Sequence, residues 1–346
     1  MSAELTEGEA AVYDRQLRLW GVQAQSRLLK SKVLVWGLEG SLVEVCKNLV
    51  LAGVTLAVRD HRVVTQTDVE FNYFLRPEDI GKSSASCAAP RLQEMNPLKE
   101  DTVTAVGGTT AASEADLKQI VEGFNVVLVG FSVLGRSVSM LRGLNKACRE
   151  TGAYFFLSVT AGDSAFFFSD LLEHVVEERS STQGAEPEAD SKPKEPEKFS
   201  FPSFAEWLDC SDEMLKKDKV DASVVLYWTL LQFFSKEPQA GESDAVKFQQ
   251  YAQCKAPWLP KLTESYWQDA YRMIFVQPLI SVASVLGGLL AQEVIKAITR
   301  RDPPLINSVC FSASTNAAFV ERIPSLVQEE SPSKKRKVEE VAVDLD

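Results

Sequence analysis

The chain is poor in the residues that build metal and redox centres. It has two histidines, His61 and His174, far apart in sequence, and neither has a partner that would suggest a metal site or a catalytic triad. The six cysteines (Cys46, Cys87, Cys148, Cys210, Cys254 and Cys310) include no CxxC pair, so neither a zinc site nor a disulfide framework is expected. Several lie in apolar runs, where a cysteine is a small buried hydrophobe, and a reducing, intracellular compartment is expected. Positive charge is also short. The formal net charge is −11 and the pI about 5.0, which argues against a general nucleic-acid binder. The N-terminal stretch MSAELTEGEAAVYDRQ has no apolar signal region. A single run, MIFVQPLISVASVLGGLLA at 273–291, approaches membrane-span length. Gln277 and Pro278 interrupt it, and Gln292 and Glu293 follow in the same helical register, so a buried core helix is expected and no membrane association. Glycine is missing at one telling place. In LVWGLEGSLVEVCKNLVLAGV (34–54) Gly37 and Gly40 are present, but Ser41 and Leu42 stand where a third glycine would complete a nucleotide-binding turn.

What is present is a globular chain of 346 residues with 45% hydrophobic content, enough for one large or two modest domains. Residues 9–30 have helical spacing. The run at 32–36 reads as a strand, 41–52 as a helix with Leu42, Val45, Cys46 and Leu49 on one face, and 55–60 as the next strand. Gly53 ends the helix, and the three elements make a right-handed βαβ unit. A helix at 113–122, a strand at 125–130, a helix at 137–150 and a strand at 153–159 follow. Their strands are apolar without alternation, so the fold class is α/β, with a parallel-rich sheet covered by helices on both faces. AFFFSD at 165–170 adds an antiparallel strand. At 176–198 Pro, Glu, Ser and Lys replace apolar residues, which marks a flexible insertion. Residues 201–262 read as helical, irregular and aromatic; 279–300 as a long helix; 306–321 as a closing β-hairpin; and the chain after Pro324 as a polar, disordered tail. The organisation expected is one α/β domain built from 1–170 and 271–324, interrupted by a linker and helical insertion at 171–270, with a tail at 325–346.

The glycine turn taken alone leaves two readings open. Asp60 stands about twenty residues beyond it, where a ribose ligand is expected. Glu39 and Glu44 place negative charge in and just after the turn, where a carboxylate would repel a phosphate that the helix N-terminus would otherwise attract. The motif is therefore either a nucleotide site or the shell of one.

YDRQLRLWG (13–21), with the strand–turn–helix and NLVLAGV (48–54), closely resembles the start of the adenylating subunits that activate ubiquitin-like proteins, the ubiquitin-activating enzyme family. EMNP (94–97) and GGLLAQEVIKAITRRDPP (287–304) resemble later segments of that family, and the matches are spread over roughly two thirds of the chain. Within the family the sequence is similar to the small, non-thioester, Aos-type subunits that serve SUMO. The resemblance implies a Rossmann-like, ThiF-like adenylation fold. The departures imply that the chemistry lies elsewhere. Aligned from Asp60, a phosphate-contacting arginine falls on Phe71 and a phosphate-side lysine on Ser84; Phe131, Ser132 and Val133 stand where a magnesium-side aspartate is expected. No cysteine has the catalytic context of the family. The resemblance thus implies a regulatory, catalytically incomplete subunit that holds no cofactor or metal of its own. Its partner, the large catalytic subunit, would carry ATP, magnesium and the thioester cysteine, and SUMO would be the protein activated. Arg15 would reach across to the partner's ATP in trans, while Arg18 is the next candidate and suits a structural salt bridge better. Trp20, Leu286 and Leu290 suit packing. A regulatory subunit of the neddylation type, an independent nucleotide-binding oxidoreductase and a stand-alone adenylating enzyme are the alternatives. The basic cluster Lys334, Lys335, Arg336 and Lys337, in a polar tail of an acidic chain, resembles a nuclear-import signal, so a nuclear location is expected, with a cytoplasmic share.

Overall fold

The computed structural model describes residues 6–98, 101–107, 114–177, 196–259 and 262–324. Ten strands and thirteen α-helices are present among them. The strands are β1 (Lys32–Trp36), β2 (Thr55–Arg59), β3 (Val103–Ala105), β4 (Val126–Gly130), β5 (Tyr154–Ala161), β6 (Ser164–Asp170), β7 (Glu173–Val176), β8 (Glu197–Ser200), β9 (Ser308–Ser312) and β10 (Ala317–Glu321). The helices are α1 (Glu7–Val12), α2 (Asp14–Lys30), α3 (Ser41–Leu51), α4 (Gln66–Phe71), α5 (Ser84–Gln93), α6 (Glu114–Val121), α7 (Val138–Thr151), α8 (Phe204–Leu208), α9 (Asp212–Lys217), α10 (Ala222–Lys236), α11 (Ala245–Lys255), α12 (Glu264–Met273) and α13 (Ile280–Thr299).

Eight strands form one sheet in the order β10-β9-β6-β5-β4-β1-β2-β3. From β3 through β5 every pairing is parallel; β6, β9 and β10 join antiparallel. Successive strand residues alternate between two cores, because side chains alternate across the pleat. Val33 and Val35 pack with α3, α5 and α13 on one face. Leu34 and Trp36 pack on the other with α6, α7 and the aromatic helices α8 and α10–α12. Both faces are covered, so the strands need no polar side.

The long apolar helix α13 is a core element. It meets the length and apolarity of a membrane span, yet two thirds of it is buried, with Leu286 and Leu290 fully inside. The helical reading of 9–30 needs correction: α1 and α2 are separate, and Gly21, at φ 81°, puts a kink inside α2. The edges of the 176–198 segment are also ordered. β7 and β8 pair as an antiparallel ribbon, with Val176 opposite Glu197, so backbone hydrogen bonds supply what the apolar count of that segment could not. Residues 178–195 and the tail, with Lys334–Lys337, lie outside the described residues.

Candidate functional site

In this sheet the strand order reverses between β1 and β4, and an open α/β sheet binds its ligands in the crevice outside the carboxyl ends of the strands at such a point. The turn after β1 carries Glu39, the loop after β4 carries Ser132 and Val133, and β2 ends beside Asp60. The structure brings these together, and Arg62 with them. Asp60 is buried, and both its oxygens are engaged. One accepts the peptide N–H of Leu38 at 2.8 Å and Arg62 Nη2 at 2.7 Å. The other accepts the N–H and Nε of Arg62, each at 3.0 Å. Arg62 Nη1 turns to Glu39 Oε2 at 3.0 Å. The Glu39 carboxylate also accepts the N–H groups of Ser132 (3.1 Å) and Val133 (3.3 Å) and the Ser132 hydroxyl. Burial by itself would weaken the Arg62 cation. The hydrogen bond to Asp60 and the charges of Glu39 and Asp60 outweigh it and hold the guanidinium above its ordinary pKa.

This arrangement does not fit a nucleoside triphosphate. Glu39 fills the space over Gly130, where a Cβ would stand 2.5 Å from Glu39 Oε1, and a phosphate there would meet a fixed carboxylate. Asp60, expected to face a ribose, is committed to the turn and to Arg62. Phe71, at the arginine position, is 38% exposed and carries no charge. Ser84, at the lysine position, is buried in the first turn of α5, and Phe131 lies in the core. Glu44 stands just after the turn, in the first turn of α3, as expected, and its side chain pairs with Lys47 and accepts the Ser284 hydroxyl at 3.4 Å. A small cavity of about 190 Å³ remains between the ends of β2 and β3, lined in part by Arg59, Asp60, His61 and Ser86. Among the described residues no group of three or more His, Cys, Asp or Glu is placed to hold a metal ion.

Arg62 was missed by the sequence reasoning. Its signal was its place two residues after Asp60, within reach of the same carboxylate. Nothing local marks Ser132 and Val133 as donors, since they lie 93 and 94 residues from Glu39.

The N-terminal motif divides into packing residues and free ones. Tyr13 is buried, and its hydroxyl accepts a hydrogen bond from Asn96 Nδ2 at 2.9 Å; the same amide nitrogen reaches the Val50 carbonyl at 2.9 Å. YDRQ, EMNP and NLVLAGV are thus one cluster. Gly53 belongs to it, because a Cβ there would stand 2.8 Å from the Tyr13 oxygen. Burial raises the Tyr13 pKa. Trp20 Nε1 donates to Gln25 Oε1 at 3.1 Å, and Gln25 Nε2 to the Ala52 carbonyl at 3.0 Å, so Trp20 packs. Arg18 pairs with Asp14 at 2.9 Å. Arg15 is exposed, in the first turn of α2, and makes no hydrogen bond or ion pair with the described residues.

A domain of this topology, with its switch point and glycine turn, is of the doubly wound, Rossmann-like α/β class. The ThiF family matches residues 13–333, and the chain belongs to it. Among curated proteins the sequence is similar to SUMO-activating enzyme subunit 1 of Homo sapiens and of Pongo abelii, each 30% identical over 341 residues, 92% of this chain and 96% of the relative. It is also similar to SUMO-activating enzyme subunit 1B-1 of Arabidopsis thaliana, 28% identical over 92% of this chain and 97% of that one. Solved structures share the fold. Selenomethionine PaaA has a TM-score of 0.56 at 14% identity, covering 93% of this chain and 76% of that one. Escherichia coli MccB with succinimide has a TM-score of 0.55 at 13% identity, covering 91% and 73%.

Proposed function

We propose that this chain is the regulatory, catalytically incomplete subunit of a heterodimeric SUMO-activating enzyme. The observation that carries the reading is the asymmetry of its charged groups. Every charged side chain of its own nucleotide turn is bound within the chain, while Arg15 stands free on α2. The relatives named subunit 1 support the same reading, and so does the lack of fit to a triphosphate. The partner, the large thioester-bearing subunit, holds ATP and magnesium. Arg15 reaches its phosphates in trans and stabilises charge developing on their oxygens as the SUMO carboxylate attacks, by the logic of an arginine finger.

The pair needs an apolar face. Val276, Leu279, Ile280 and Val285 are 48%, 51%, 61% and 42% exposed, and Leu19 and Val22 on α2 are 76% and 53% exposed. Apolar surface of that kind suits burial against a partner.

The test is SUMO-dependent ATP–pyrophosphate exchange with this chain alone, with the thioester-bearing subunit alone, and with both. Exchange only in the mixture is expected. Exchange by this chain alone would overturn the reading. The complex works in the nucleus through Lys334–Lys337; a chain lacking 334–337 would stay in the cytoplasm, and unchanged nuclear accumulation would refute that role.

A further inference from the structure

The Glu39 carboxylate takes a donor set normally offered to a ligand. Two consecutive peptide N–H groups, of Ser132 at 3.1 Å and Val133 at 3.3 Å, converge on one oxygen. The Ser132 hydroxyl and Arg62 Nη1, at 3.0 Å, reach the other. Successive backbone N–H groups in a loop form a concavity for an anion, and a guanidinium beside it adds a charge-assisted bond. The concavity lies at the switch point, where β4 ends at Gly130. Gly130 has no Cβ to keep the carboxylate out.

We propose that this chain retains a formed oxyanion site at its switch point and that its ligand is the chain's own Glu39. The site takes a carboxylate or phosphate oxyanion by class, and Glu39 supplies one permanently. The 131–136 loop is thereby held in place with no external ligand. That loop leads to Arg136, whose guanidinium lies 4.4 Å from the centre of the Phe275 ring. Phe275 precedes the strap into α13. The strap is fixed by the Gly162 N–H donating to the Val276 carbonyl at 3.2 Å and the Leu279 N–H donating to the Gly162 carbonyl at 2.8 Å. Glu39 therefore stands at the head of a chain of contacts running from the glycine turn to the start of α13. The inference rests on this geometry and holds whatever complex the chain enters.

The test is anion rescue of the full chain carrying Glu39→Ala. In a non-coordinating buffer the variant is expected to melt roughly 5 °C below the unsubstituted chain. Sodium formate and inorganic phosphate should restore much of that loss along saturating curves, since a ligand that binds only the folded state stabilises it by mass action. Sodium chloride at equal ionic strength should not, and the unsubstituted chain should show only the small, non-saturating shift that phosphate gives a folded protein without a site. A variant that melts with the unsubstituted chain, or responds to all three salts alike, would overturn the proposal. Glu39→Gln, nearly the same shape without the charge, covers the case in which the alanine variant does not fold. Its Ser132 and Val133 amides should exchange with deuterium at least about tenfold faster than in the unsubstituted chain, and unchanged exchange would count against the site.

Discussion

The switch point and the first turns of α2 hold the same kinds of charged residue and treat them in opposite ways. At the switch point the side chains of Arg62, Glu39 and Asp60 are 30%, 21% and 0% exposed, and each meets more than one partner. On α2, Arg18 and Asp14 make one pair, 78% and 51% exposed, and Arg15 is open to solvent. A charge that is desolvated and saturated with partners shapes its own chain; one left in water with no partner is available to another molecule. The region that looks like a ligand site is thus the one whose charges are already taken.

That contrast breaks first at Arg62. Arg62→Ala leaves the buried Asp60 carboxylate without its cation, and breaking a buried pair of this kind costs roughly 3–5 kcal/mol. Urea unfolding should show that loss, and a cost below about 1 kcal/mol would mean that the pair is ornamental.

His174 gives a second test of what burial does to charge. It is fully buried, lies on β7 and contacts the Tyr154 hydroxyl at 3.2 Å through Nδ1. Burial, with the nearby Arg300 cation, lowers its pKa from 6.5 to about 4. The folded value lies below the unfolded one, so the unfolded chain binds the extra proton between them. His174 therefore costs nothing above about pH 6.5, and stability falls as the pH drops from there toward 4, by on the order of 3 kcal/mol. His174→Phe should flatten that part of the stability curve against pH; an unaltered slope would remove His174 from the account.

Arg15→Ala should lower adenylation by the assembled pair about 100-fold while the chain's melting temperature and its association with the partner stay the same. Equal rates would end the proposed role in trans. The smallest effect is expected at Arg18. Arg18→Ala breaks an exposed i,i+4 pair and should change stability by less than about 0.5 kcal/mol, with adenylation unchanged, which separates the two neighbouring arginines.

Much of the fold was legible because burial on both faces leaves an unbroken apolar signature in a strand. KVLVW and NVVLVG read correctly for that reason, and the glycine after NLVLA marked the end of α3. The kink at Gly21 and the β7–β8 ribbon were not legible. The first depends on a backbone angle that hydrophobic periodicity does not encode, the second on hydrogen bonds between segments some twenty residues apart in a stretch of low apolar content. Half of the site was visible: Glu39 and Asp60 were named, but as groups facing a nucleotide.

By itself the sequence determined the element order and the parallel sheet, because these depend on residue type and short-range spacing. Only the tertiary structure decided that the loop after β4 holds Glu39 and that Asp60 takes the Leu38 peptide N–H. Those outcomes depend on which polar groups two adjacent strands bring within about 3 Å of each other at their carboxyl ends, and no local pattern carries that distance.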